Sequence, residues 1–238
     1  MNSEGMTLDS LYDIVNDPHI TYKEKIKIFF QCKHKRNSQQ EKQTSTINAL
    51  LSDSKRNKDI NGLLYGYIYL ADLNKEWSNE DMFNIYIDSA ELYADNSTNP
   101  LALAGYHYTK GTQAINAPYG KKEGYKQFEK AIEYYSQTGI DIQSISYILY
   151  NITAYTANQP DTIFAKNLID KIVIILQKEY SPFIDFSLCA MKSDLYSNYF
   201  NETRKESMID SAIFYENKRI ELFLSNRDTL PEIGRAHV

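Results

Sequence analysis

The chain has 238 residues and a mass of 27.6 kDa, enough for one large domain or a row of small repeated units. It is 42% hydrophobic and 24% charged, with only 9 Gly and 6 Pro, which fits a folded, helix-rich protein rather than a disordered chain or a strand-and-turn fold. A net charge of −5 and a pI near 5.5 speak against a general nucleic-acid-binding surface.

Residues 1–45 form an irregular N-terminal part. MNSEGMTLDS lacks the apolar core of a signal peptide. LDSLYDIV and TYKEKIKIFF are two short predicted helices, the second entered through a Thr21-x-x-Glu24 capping box. The basic run Lys33-His34-Lys35-Arg36 suits a solvated helix end, where cations offset exposed carbonyls. NSQQEKQTS, residues 37–45, reads as a polar linker. TINALLSD then begins a further helix, and with it a repeat region spanning residues 46–231.

Within that region IDSAELY (87–93) returns as IDSAIFY (209–215). The echo belongs to a longer series. Ala90, Ala131, Ile172 and Ala212 follow one another at intervals of 41, 41 and 40 residues, and Ala49 stands 41 before the first. Three residues before each of the four markers stand Ile87, Phe128, Ile169 and Ile209. Seven before stand Phe83, Gly124, Ala165 and Lys205, the last a poor match. This spacing lines one face of a helix, so these residues are expected to pack and carry no binding role. LYGYIY (64–69) and LAGYHY (103–108) share Leu-x-Gly-Tyr-x-Tyr, with glycine where a neighbouring helix comes close. Asn99-Pro100 and Ser181-Pro182 mark helix starts, and Ser78-x-x-Asp81 and Thr203-x-x-Glu206 have capping-box spacing. The predicted helix pairs are 60–76/79–95, 100–116/121–137, 142–157/161–179 and 183–200/204–225.

These residues resemble the tetratricopeptide-repeat family. Gly66 with Tyr69, and Gly105 with Tyr108, match the family's small residue and the tyrosine three later in the first helix of a unit; Gly124, Phe128 and Ala131 match its second helix. The units run to about 41 residues, against about 34 in the family, and the third, around LYNITAYTA, has no glycine. The resemblance implies an all-α fold, a right-handed superhelix (α-solenoid) of degenerate helix hairpins. It also implies a concave groove lined by the first helix of each pair, holding a protein or peptide ligand. Carried over residue by residue, the groove candidates are Tyr67 and Tyr106, with Thr109 and Lys110 a turn further along.

Catalytic chemistry finds no anchor. GKKEG (120–124) lacks the Gly-Lys-Ser/Thr order of a phosphate loop and follows no predicted strand. His19, His34 and His107 are scattered, Cys32 and Cys189 have no metal-ligand spacing, and Cys189 in FSLCAM reads as core rather than nucleophile. The expectation is a non-enzyme without cofactor or metal, without nucleic acid bound through this region, and with a homodimer left open.

The last seven residues, EIGRAHV, back-translate to a widely used sequencing-adapter oligonucleotide. On that reading 232–238 are an artefact, and a natural C-terminal part beyond Pro231 is missing. The long, tyrosine-rich units resemble the repeat sensor region of bacterial helix-turn-helix regulators or sensor histidine kinases. In those proteins the array precedes a membrane span and an output domain. The expected function is therefore a protein- or peptide-binding input region; the alternative is a free-standing cytoplasmic adaptor without an output domain. The lack of a targeting segment points to the cytoplasm, and the family resemblance to a periplasmic or membrane-anchored location.

Overall fold

A computed structural model describes residues 13–14, 17, 19–21, 24–25, 40–118, 120–139, 149, 151–154, 162–177 and 182–226. Among them the only regular secondary structure is α-helix. The principal helices are α1 (Gln40–Arg56), α2 (Ile60–Glu76), α3 (Glu80–Ala94), α4 (Pro100–Asn116) and α5 (Lys121–Tyr135), followed by α6 (Thr162–Leu176), α7 (Pro182–Thr203) and α8 (Glu206–Ser225). The chain divides into two compact units, Met1–Gln137 and Thr138–Val238. The predicted helix 142–157 lies largely outside the described residues, as do Ser181, Cys32, His34 and residues 227–238.

Local signals place most helix starts in the first unit. Glu24 Oε2 accepts from the Thr21 amide at 3.0 Å and from its hydroxyl at 2.8 Å, forming the predicted capping box. Asp59 caps α2 through the amides of Asn61 and Gly62, and Asn99 caps α4 through those of Leu101 and Ala102, with Pro100 in the first turn. Helix α1 is described from Gln40 onward, so residues 40–45 of the polar stretch are helical. Gln, Glu and Lys are good helix formers, and Gln43 and Thr46 are buried in the unit.

Two capping predictions need correction. The cap of α3 is Asn79, which accepts from the Met82 amide, and not Ser78. Ser78 instead sits at φ 57° and ends α2. Its amide donates to Lys75 O, and the Asn79 amide donates to Asn74 O at 2.8 Å, a paired closure of the last turn. Thr203 likewise belongs to the end of α7, donating to Tyr199 O, and Lys205 precedes α8 without a side-chain cap. Arg204 takes the left-handed conformation between them, as Lys58 does between α1 and α2.

Contacts in the first unit fix the helix directions. Tyr67 meets Tyr86 and Ala71 clusters with Phe83 and Ile87, so α2 and α3 run antiparallel. His107 bonds to Gln127 while Gly111 lies beside Phe128 and Gly124, so α4 and α5 do the same. Helices α2 and α4 run parallel, because Asn61 meets Ser97, Ile68 meets Gly105 and Asp72 meets Thr109. The first of these contacts, 36 residues apart, lies at the turn before α4, and the other two repeat an offset of 37 along both helices. Gly66 lets α1 approach: a Cβ there would lie 2.6 Å from Leu51 Cδ2.

In the second unit α7 packs against α6 and α8. The Arg219 guanidinium lies over Phe186 near the start of α7 while Ser193 Oγ, farther along, donates to Ala212 O at 3.2 Å, so α7 and α8 are antiparallel; Tyr196 also stacks on Tyr215. The core holds Leu168, Ile172 and Leu176 of α6 with Ile184, Leu188 and Met191 of α7. In both units the marker positions Ala90, Ala131, Ile172 and Ala212 are buried, whereas Lys205 is exposed.

Candidate functional site

The four groove candidates sit on α2 and α4, and the structure divides them among three settings. Tyr67 is half-buried. Its ring stacks on Tyr93 at 5.9 Å and 8°, lies 6.5 Å from Tyr86, and carries the Lys55 ammonium 5.9 Å from its centroid. Tyrosines two turns apart on α3 thus meet one ring from α2, an arrangement that offset stacking and cation–π attraction both favour.

Tyr106 and Lys110, one turn apart on α4, converge on Glu91 of α3. Lys110 Nζ donates to Glu91 Oε2 at 2.8 Å, and this bond holds the Glu91 carboxyl below its usual range. Tyr106 is only 6% exposed, and its hydroxyl also bonds to Glu91. Burial first, then the negative charge of Glu91, pushes the Tyr106 phenol well above its ordinary value, so it stays protonated. Gln113, one turn beyond Lys110, donates to Asn84 Oδ1 at 2.6 Å. Residues 106, 110 and 113 thereby form a polar seam between α3 and α4.

Thr109 points elsewhere. It is 1% exposed, and its hydroxyl lies 3.0 Å from both Asp72 Oδ1 on α2 and Gly105 O on its own helix. Tyr106 and Thr109 therefore spend their polar atoms inside the unit, where neighbouring helices supply the partners, and offer no open contact surface. Lys110 and Tyr67 keep partial exposure.

Glu91 and Asn84 in the seam, and Asp72 as the α2 partner of Thr109, were not anticipated from the sequence. The signal was present in α3, where Asn84 and Glu91 are seven residues apart and so share a face. A second unanticipated cluster surrounds His107, which is 9% exposed. Its Nδ1 lies 2.6 Å from Gln127 Oε1, and its ring stacks on Tyr134 at 5.5 Å and 2° and meets the edge of Tyr106 at 5.1 Å. Burial pulls its pKa below the ordinary histidine value. The Cys189 thiol is buried, unpaired and pushed up by that burial, which leaves little thiolate. Among the described residues no group of His, Cys, Asp and Glu could hold a metal ion, and no helix is long and apolar enough to cross a membrane.

No protein-family model matches the chain, and comparison with curated proteins and with solved structures gives no significant match. At this level the protein is an all-helical one, built in its first unit from stacked antiparallel helices, an arrangement compatible with a helical repeat.

Proposed function

We propose that the chain is a protein- or peptide-binding helical repeat scaffold, a degenerate tetratricopeptide-like superhelix, serving as the input region of a bacterial signalling or transcription-regulatory protein. The observation that carries the scaffold reading is the parallel stacking of α2 on α4, with Ile68–Gly105 and Asp72–Thr109 at the same offset and an antiparallel partner following each helix. A hairpin of two amphipathic helices cannot bury its apolar face alone, and stacking buries it against the next hairpin. Tyr67 and Lys110 are the groove candidates that retain accessible surface, and a tyrosine flanked by two more offers a stiff, amphipathic contact. The sensor role rests on the resemblance of the long, tyrosine-rich units to bacterial sensor arrays. No catalytic step is assigned to the chain.

The test is to read the source gene beyond the codon for Pro231. The sensor role predicts an apolar span of about 20 residues followed by a helix-turn-helix or kinase domain. A prompt stop codon would sink that role and leave a free-standing adaptor.

A further inference from the structure

Helix α3 presents an outward face that no described helix covers. Leu92 is 74% exposed and Ile85 52%, seven residues apart and therefore in one row. Beside that row runs a second, of Asp81, Asp88 and Asp95, again at sevenfold spacing and exposed at each position. Glu80 and Glu91 add to the acidic side, and the segment 80–95 contains no Lys or Arg. Among the described residues one cation reaches this acidic side, Lys110 at Glu91 on the edge that faces α4.

We propose that this face, the Ile85–Leu92 row bordered by Asp81, Asp88 and Asp95, docks a short amphipathic helix carrying Lys or Arg opposite the carboxylates. The proposal rests on the reading of the chain as a peptide-binding scaffold but places the contact outside the Tyr67 groove. Three arguments select the occupant. Rows repeating every seven residues recur about every 10.5 Å, the spacing of another helix read in heptads. An extended strand repeats its side about every 6.8 Å and falls out of register. A second copy of α3 would set carboxylate against carboxylate, so the partner differs from this chain's own helix and carries the opposite charge. With two aliphatic positions, Ile85 and Leu92, at its centre, the contact is weak and salt-sensitive.

The test is fluorescence anisotropy at low salt, using the full chain and a labelled three-heptad peptide with Leu at its a and d positions and Lys at e and g. The lysines on both flanks also keep the peptide from pairing with itself. The wild-type chain binds it, and a Glu-flanked peptide does not bind. Ile85→Ser with Leu92→Ser, and separately Asp81→Asn with Asp88→Asn and Asp95→Asn, each weaken binding about tenfold or more. A control with Glu206→Gln, Asp210→Asn and Glu221→Gln removes the same charge from α8 and binds as the wild type does. Circular dichroism checks that all three variants remain helical. Equal loss in the α8 control would reduce the effect to net charge and overturn the proposal, as would wild-type binding by either α3 variant. Loss in Tyr67→Ala with both α3 variants unaffected would also overturn it, while leaving the groove reading intact.

Discussion

Gly111 and Gly124 face each other across the α4–α5 hairpin, each so near the other's carbonyl oxygen that an added Cβ would lie 3.1 Å from it. At Gly124 a methyl group would also come within 3.0 Å of Ile115 Cβ and of its backbone nitrogen. Two of these are backbone atoms and the third a Cβ fixed to the backbone, so none can swing away. Gly124→Ala is expected to destabilise by about 1–3 kcal/mol despite alanine's better helix propensity. Gly105→Ala is the counter-case, since its Cβ would meet Ile68 at an ordinary 3.6 Å; the gain is about 0.5–1 kcal/mol. Urea denaturation of the two variants measures both signs.

Ala131 is fully buried in the register of Ala90 and Ala212. Ala131→Arg places an unpaired charge between helices and is expected to cost at least about 3 kcal/mol, abolishing cooperative unfolding of the first unit. A wild-type melting curve in that variant would refute the packing register.

The α2–α3 turn provides a test of the corrected cap. Asn79→Ala removes the acceptor for the Met82 amide and is expected to cost about 1 kcal/mol. Ser78→Gly relieves a left-handed backbone and is expected to gain about 0.5 kcal/mol. If Ser78 were the cap, the glycine variant would instead lose stability, which thermal denaturation distinguishes.

Helix extents were the legible part of this sequence. The α2 and α4 ranges coincide with the predicted 60–76 and 100–116, because an apolar face of helical period is bracketed by capping side chains at Asp59 and Asn99. The turns were less legible. Lys58, Ser78 and Arg204 take the left-handed conformation without glycine to announce it, so the boxes drawn at Ser78 and Thr203 fell one or two residues early. The candidate site was legible only by position along a helix. Whether Tyr106 or Thr109 meets a ligand or a neighbour depends on Glu91 and Asp72, 15 and 37 residues away, and local sequence carries no mark of that pairing.

His107 should make stability fall with acidification. Its pKa is lowered in the folded protein, so the unfolded chain takes up the proton first as pH drops below about 6.5. The neutral ring's contribution is intact above that value and is lost as pH falls toward the folded pKa. The nearby Lys130 charge acts in the same sense, while the Gln127 contact opposes it. Urea midpoints at pH 7 and pH 5.5 are expected to differ less in His107→Gln than in the wild type. Equal slopes in both proteins would remove His107 from the acid response.

The seam between α3 and α4 has a further consequence. Apolar faces tolerate many neighbours, and hairpins built to one pattern could stack in the wrong order or with a hairpin of another molecule. Asn84 with Gln113, and Glu91 with Tyr106 and Lys110, demand matching donors and acceptors at fixed heights along the two helices. A mis-stacked hairpin keeps its greasy contact but loses every one of those matches. The seam thus works as an address, matching the α2–α3 hairpin to the α4–α5 hairpin at one height.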